Sequence, residues 1–234
     1  MKPIFASFLV LAACGGSPLD PGAGNSLGTG TSTLLVDGNA RAHAQISNAK
    51  SSTDFTTDFS VQVTLNNALV TTGTVEVKSS KLTTPLTFRA DQNGGQWEGT
   101  AAGYDEAYEL NVISGTDKVM GVIVDGPDIH LFTAPMAGAS LDSTVANDMK
   151  WSRAAAADIA TLRVGDLDRL TIADTGTFSI PAGSLKAEKD QARPNQLVLT
   201  RENHVAPKGA VAGSTVSVSV DNELDVIALP NPAL

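Results

Sequence analysis

Residues 59–65 read FSVQVTL, a stretch in which every second side chain is apolar. Successive side chains of a β-strand point to opposite faces, so this stretch has one apolar face and one polar face. The same alternation recurs in TVEVK at 74–78, YELNV at 108–112 and STVSVSV at 214–220. Groups of Gly, Asn and Asp separate the alternating stretches, as is typical of turns. The pattern therefore predicts a chain of short antiparallel strands.

The predicted strands fall into two series along the chain. This indicates an all-β protein of tandem antiparallel β-sandwich domains, at 31–137 and 138–234. Residues 135–147 lack the alternation and are predicted to link the two domains. The helix-like stretch RAAAADIA at 153–160 is short and also suits the approach to a strand.

The N-terminus, MKPIFASFLVLAACGGSP, contains an uncharged apolar run at 4–13. This run has the length of a secretory signal and falls well short of the roughly 20 residues that a spanning helix needs. It ends in LAAC at 11–14, which resembles the lipobox of bacterial lipoproteins. The resemblance implies a signal peptide at 1–13 that is cleaved, and acyl chains on Cys14.

Cys14 is the only cysteine, so an intrachain disulfide is excluded and lipidation accounts for its isolation. Acyl chains stabilise membrane attachment by about 0.8 kcal/mol per buried methylene, so the membrane is the first predicted partner. The next residue is Gly15 rather than the Asp that favours inner-membrane retention in this family. The resemblance therefore implies the outer membrane of a Gram-negative cell. Residues 14–30 are rich in Gly, Pro and Ser and are predicted to form a flexible tether.

The overall charge restricts the other partners. The formal net charge is −9, which argues against nucleic acid because binding to phosphates needs clustered Lys and Arg. Aromatic residues make up 5% of the chain, so few Trp or Tyr side chains are available as platforms for sugar rings. The sequence carries no P-loop, dinucleotide or metalloprotease fingerprint, and we expect no cofactor.

The second half of the chain resembles the Ig-like or fibronectin-like modules of myxobacterial-type surface lipoproteins. The resemblance rests on MKWSR at 149–153, DTGTFSIPAGSL at 174–185, LVLTREN at 197–203 and the closing VSVSV at 216–220. It implies a β-sandwich fold and carries no catalytic residue.

The stretch IADTGTFSIP at 172–181 has two interpretations. Asp-Thr-Gly after an apolar run is typical of the catalytic loop of aspartic proteases, which need two such carboxylates about 3 Å apart. A second Asp-Thr-Gly or Asp-Ser-Gly is absent, so only a homodimer would supply the partner. The alternative is a turn in which the Asp174 carboxylate accepts backbone N–H groups and Gly176 adopts a positive φ. We favour the turn.

A metal site is the second candidate, in VDGPDIH at 124–130. Asp128 and His130 would share one face of a strand, with Asp125 on the preceding turn. Two carboxylates and an imidazole suit a divalent cation such as Zn²⁺ or Mn²⁺. The alternative is a Gly-Pro turn with a surface histidine.

These features predict a lipid-anchored envelope protein without enzymatic activity, a structural or adhesive module with a protein or polysaccharide partner. Two alternatives stay open. The first is a metal-dependent envelope hydrolase that uses the 125–130 cluster, and the second is an accessory lipoprotein for secretion or assembly.

Overall fold

The computed structural model describes residues 19–91, 94–165 and 169–233. The predicted signal peptide at 1–13 and Cys14 lie outside these residues. Within the described ranges, no helix is both long and apolar enough to cross a membrane.

The described residues form eighteen strands and one 3-10 turn at Ser52–Asp54, which is capped by the Ser51 side chain. In chain order the strands are β1 Ser26–Thr29, β2 Leu34–Ala44, β3 Phe55–Leu65, β4 Ala68–Leu69, β5 Thr74–Lys78, β6 Thr83–Pro85, β7 Thr87–Arg89, β8 Gln96–Ala102, β9 Ala107–Ser114, β10 Asp117–Asp125, β11 Phe132–Ala134, β12 Ser140–Leu141, β13 Asn147–Trp151, β14 Ile159–Val164, β15 Leu170–Ile172, β16 Thr177–Ile180, β17 Arg193–Val205 and β18 Thr215–Ala228.

Among the described residues, these strands pair into three sheets. The large sheet has the order β15-β14-β17-β18-β2-β3-β8-β7, with β12 paired to β18 and β4 paired to β3. A five-stranded sheet has the order β1-β10-β9-β5-β6, and a three-stranded sheet has the order β11-β13-β16. Neighbouring strands are antiparallel except at β18, which pairs in parallel with β2 and with β12.

Both smaller sheets pack against the same face of the large sheet. The apolar residues of β18 on this face join two hydrophobic clusters, Val216, Val218 and Val220 in the first and Leu224, Val226 and Ala228 in the second. The first cluster lies under the five-stranded sheet and the second under the three-stranded sheet. A strand as long as β18 extends roughly 45 Å at about 3.3 Å per residue, which is enough to cross both clusters. This arrangement confirms the predicted all-β, antiparallel sandwich class.

The large sheet continues across the boundary predicted between 137 and 138. Residues 37–43 of β2 pair with residues 215–221 of β18, so strands from both predicted domains are neighbours in one sheet. Each hydrophobic cluster contains residues from both predicted domains: residues within 205–220 join the first cluster, and Phe132 joins the second. The division into two domains stays a prediction, and the strands β17 and β18 are common to both clusters.

The segment 14–30, predicted to be a flexible tether, is ordered where the structure describes it. Residues 26–29 form β1, which pairs with β10, and the Leu27 carbonyl accepts the Lys208 N–H at 2.7 Å. Gly28 and Gly30 allow close approach of β1 to β10, whereas Gly22 and Gly24 have open space beside them. A Cβ at Gly30, where φ is +139°, would lie 2.0 Å from the Lys118 carbonyl oxygen.

Two other stretches also differ from, or refine, their predictions. The predicted linker at 135–147 contains the short strand β12, which pairs with the end of β18. Residues 153–158 are not helical, and β14 begins at Ile159, so the RAAAADIA stretch leads into a strand.

Candidate functional site on the polar face of the large sheet

Asp125, the last residue of β10, binds the N-terminal segment. Its Oδ1 accepts the Gly22 N–H at 2.9 Å and its Oδ2 accepts the Gly24 N–H at 3.3 Å. Its own N–H donates to Asn25 Oδ1 at 2.8 Å. Asp125 therefore fastens residues 22–25 to the folded body.

Asp128 binds a fully buried arginine. Its Oδ1 accepts an N–H from Arg201 Nη1 at 3.1 Å, and its Oδ2 accepts the Ala154 N–H at 2.9 Å. Arg201 lies on β17 and has a side-chain exposure of 0%. Its Nη1 also donates to the Asp128 carbonyl at 2.8 Å, and its Nη2 donates to the Ala155 carbonyl.

His130 is also fully buried, with an exposure of 0%. Neither ring nitrogen has a hydrogen bond of normal geometry among the described residues, although the Leu199 backbone lies close by. Burial and the neighbouring Arg201 guanidinium lower the pKa of His130 to about 3, and the carboxylates of Asp174 and Asp128 offset this only in part. The imidazole is therefore neutral, and its ring packs edge-on against Phe132 with centroids 5.8 Å apart.

The geometry does not support the predicted metal site at Asp125, Asp128 and His130. The described residues contain no group of three or more His, Cys, Asp or Glu side chains arranged to hold a metal ion. The two carboxylates are occupied by N–H donors and the histidine is enclosed. The prediction assumed strand periodicity, but β10 ends at Asp125 and residues 126–131 are not a strand. Pro127, which has no N–H to donate to a sheet, lies in this interval.

The Asp-Thr-Gly stretch forms the predicted turn. It connects β15 of the large sheet with β16 of the three-stranded sheet, and Gly176 has a φ of +85°. The Asp174 side chain, 2% exposed, accepts the Ala157 N–H at 2.7 Å, as the turn interpretation expects of a carboxylate bonded to backbone. It also accepts the Trp151 indole N–H and the Arg201 Nε–H, both at 2.9 Å. Burial alone raises the pKa of Asp174, but these hydrogen bonds outweigh burial and hold the pKa below its usual value.

Sequence reasoning missed Arg201. We call Arg201, Asp174 and Asp128 the junction network, because they join β17 to the connections at 126–131, 152–158 and 173–176. The stretch LVLTREN contained a signal, because Arg201 follows Leu197 and Leu199 at intervals of two and therefore points to the same buried face of the strand. An inward charge within an apolar strand requires a buried partner, and Asp174 and Asp128 provide it.

The opposite face of the large sheet, here called the polar face, has a different character. No other described sheet packs on it. One row of side chains crosses it from β7 to β17, in the order Thr87, Glu98, Ser60, Asn39, Ser217 and His204. A neighbouring row contains Thr100, Asp58, Arg41, Ser219 and Glu202. Eight strands at about 4.8 Å spacing make this face roughly 34 Å wide.

A groove of about 350 Å³ lies on the polar face. Its floor comes from β17 and β18, through Val198, Thr200, Asp221 and Glu223. Its sides come from Arg41, His43 and Ala44 near β2, and from Arg163 and Arg169 near β14 and β15. Three guanidinium groups against two carboxylates give the groove a positive balance, the reverse of the whole chain.

Asp221 is the buried charge of this groove, with a side-chain exposure of 7%. Its Oδ2 accepts the Arg41 Nε–H at 2.8 Å and an Nη2–H as well. Its Oδ1 is enclosed and has no hydrogen-bond partner among the described residues. A buried carboxylate oxygen without a donor is costly and rare in folded proteins.

The arginines on the other side of the groove are available. Arg163 and Arg169 are exposed and make no hydrogen bond or ion pair with the described residues. Among the described residues, Glu223 acts on Arg163 and Glu202 acts on Arg169 electrostatically, without an ion pair. Burial and the nearby Asp225 raise the pKa of Glu223, and Arg163 offsets this in part.

Comparison with known proteins adds no assignment. No family model matches the sequence, and no curated protein matches it. The functional argument therefore rests on the geometry of this chain.

Proposed function

We propose that the protein is a lipid-anchored, non-enzymatic binding protein of the bacterial cell envelope. It is held in the outer membrane by acyl chains on Cys14, and it binds an envelope polysaccharide or protein through the polar face. The observation that carries the proposal is the polar face itself, a wide layer of hydroxyl, amide and charged groups on which no other described sheet packs.

The construction of the large sheet favours contact through side chains. Its central strands β17, β18 and β2 are paired on both sides, so their backbone N–H and C=O groups are already engaged. A partner of these strands therefore meets polar side chains rather than free backbone. Such a surface suits ligands with many hydroxyl groups or a hydrophilic protein surface.

The carboxylates that suggested chemistry support a binding role instead. Asp125 holds the N-terminal segment, and Asp128 and Asp174 neutralise Arg201. Each carboxylate is occupied by N–H donors in the folded chain. None of the three is presented to a substrate as a free general base, nucleophile or metal ligand.

The position of the N-terminal segment suits presentation of the polar face. Residues 26–29 belong to the five-stranded sheet, which packs on the face of the large sheet opposite the polar face. Four residues separate Cys14 from Leu19, and the five Cα-to-Cα steps between them reach at most about 18 Å. A lipid on Cys14 would hold the five-stranded sheet near the membrane and leave the polar face directed away.

The anchor is tested by blocking lipoprotein processing. Globomycin treatment should leave an acylated precursor with its signal peptide uncleaved, and Cys14→Ala should abolish acyl incorporation and leave the signal peptide uncleaved as well. Gly15→Asp is the matched control, because it keeps the cysteine and should redirect the acylated protein to the inner membrane. Acylation that persists in Cys14→Ala would contradict the anchor.

The binding role is tested with the full chain in detergent micelles on immobilised neutral, acidic and basic polysaccharides. We expect at least one class of polysaccharide to retain the protein. Asn39→Trp places a bulky ring in the centre of the polar face and should abolish retention. Lys118→Trp, which lies on the five-stranded sheet, is the control and should be retained like the parent protein. Failure of every class would overturn a polysaccharide as the partner, and equal retention of both variants would overturn the polar face as the binding surface.

A further inference from the structure

We infer that the groove on the polar face is a subsite for an acidic sugar unit, a uronic acid of a polysaccharide chain. The inference rests on the proposed binding function and adds the chemistry of the ligand. Its volume of about 350 Å³ falls in the range of small-ligand sites.

The unpaired oxygen of Asp221 identifies the first contact. Oδ1 is a buried acceptor within the groove lining, and the described residues offer it no donor. Arg41 already occupies the other oxygen and holds the carboxylate in place. An O–H group of a ligand would satisfy Oδ1, and the hydroxyl of Thr200 lies on the same floor as a further donor or acceptor.

The unpaired arginines identify the second contact. A guanidinium is permanently charged and presents parallel N–H groups that match a carboxylate in bidentate fashion. Arg163 and Arg169 stand across the floor from Asp221 and lack a paired carboxylate among the described residues. The ligand therefore carries an anionic group on one side and a hydroxyl donor on the other.

A sugar unit satisfies both requirements together. Its ring C–H groups would rest on Val198, an apolar residue of the floor. A peptide is disfavoured because β17 and β18 are central strands without a free edge to extend.

The test measures binding of the full chain in detergent to three soluble probes by titration calorimetry. The probes are an oligogalacturonate, its methyl ester, and a polyglutamate of equal length. The ester keeps the sugar hydroxyls and removes the charge, and polyglutamate keeps the charge and removes the sugar. We expect measurable affinity for oligogalacturonate and at least tenfold weaker affinity for each of the other two probes.

The variants locate the ligand. Arg163→Ala and Asp221→Asn should each raise the dissociation constant for oligogalacturonate at least tenfold. Arg89→Ala is the matched control, because Arg89 is an exposed arginine at the far margin of the same sheet and should change the constant less than twofold. Thermal melts of each variant confirm folding before binding is compared.

Each of the other outcomes contradicts a different part of the inference. Equal affinity for polyglutamate shows that charge alone is recognised and overturns the sugar assignment. Oligogalacturonate binding that survives Arg163→Ala and Asp221→Asn overturns the groove as its site. Absence of oligogalacturonate binding overturns the inference but leaves the proposed function standing if Asn39→Trp still abolishes retention on another polysaccharide. If oligogalacturonate does not bind and Asn39→Trp does not change retention on any polysaccharide, polysaccharide binding through the polar face is overturned as well.

Discussion

Among the described residues, the neighbouring strands β17 and β18 each contribute one buried charge, on opposite faces of the large sheet: Arg201 of β17 binds Asp174 and Asp128, and Asp221 of β18 binds Arg41 of β2. Arg201 in the junction network donates through Nε, Nη1 and Nη2 to partners that the structure describes. Asp221 in the groove has one oxygen bound to Arg41 and one oxygen with no partner in the part of the chain that the structure describes. A saturated network stabilises a fold and leaves nothing for a ligand. An unsaturated one keeps binding capacity at a cost in stability.

Removal of Arg201 should have the largest effect on stability. Arg201→Met removes the cation that binds both Asp174 and Asp128 and leaves Asp174 only the more distant Arg153 Nε, 3.9 Å from its Oδ1, among the described residues. Breaking such a buried pair costs about 3–5 kcal/mol. Urea unfolding of the full chain in detergent, followed by Trp fluorescence, measures the change. Trp151 is a suitable reporter because its indole N–H binds Asp174.

Arg163→Met is the matched control for this prediction. The side chain of Arg163 is exposed and unpaired among the described residues, so its replacement should change the unfolding free energy by less than about 0.5 kcal/mol. Similar losses of unfolding free energy in Arg201→Met and Arg163→Met would show that Arg201 contributes no more to stability than the exposed Arg163.

Acid should lower the free energy of unfolding through protonation of His130. The pKa is about 3 in the folded chain and 6.5 without perturbation, so the unfolded chain binds more protons below pH 6.5. Stability therefore falls as the pH falls from 6.5 toward 3, by roughly 1.4 kcal/mol per pH unit in the middle of this window. Unfolding free energies between pH 7 and pH 4.5 should thus drop by about 2 kcal/mol from this residue.

His130→Phe isolates that contribution, because the ring already packs against Phe132. Burial raises the pKa of Glu106, Glu202 and Glu223, and these groups change stability in the opposite direction over the same pH range. The difference between the parent chain and His130→Phe removes their effect. The same replacement at the exposed His204 serves as the control, and equal pH slopes in all three proteins would rule out the assignment.

The fold class followed from the sequence, but much of the topology did not. The alternation in FSVQVTL and STVSVSV identified strands whose faces the structure confirms, and the positive φ at Gly176 followed from Asp-Thr-Gly turn chemistry. The parallel pairing of β2 with β18 joins residues about 180 positions apart. The periodicity of a strand predicts which of its faces is buried, but it does not predict which other strand pairs with it in the sheet.

The candidate sites depended even more on distant contacts. The spacing in the sequence predicted that Asp128 and His130 share one strand face. It carried no information on Arg201, which lies 73 residues from Asp128 and donates a hydrogen bond to its carboxylate. The inward position of Arg201 was visible in the alternation of LVLTREN. The groove was not visible, because Arg41, Arg163 and Asp221 come from three strands whose order only the fold defines.

Replacing the two aspartates by asparagine compares the sites directly. Asp174→Asn removes the charge that faces Arg201 and turns an acceptor into a donor beside N–H groups, which should cost about 2–3 kcal/mol. Asp221→Asn loses an ion pair with a half-exposed arginine and should cost less than about 1 kcal/mol. Chemical unfolding of both variants at pH 7 gives the two values, and the reverse order would assign the structural role to the groove.

The smallest effect on stability should accompany the clearest effect on ligands. Arg163 is exposed and has no ion pair among the described residues, so the melting temperature of Arg163→Ala should stay within about 2 °C of the parent. The same variant is expected to lose most of its affinity for oligogalacturonate, since its N–H groups have no described carboxylate to bind. Differential scanning fluorimetry with and without the oligosaccharide measures both quantities in one experiment. A variant that melts early and binds normally would place Arg163 with the junction network, as a structural residue, and would leave the polar face without its cationic contact.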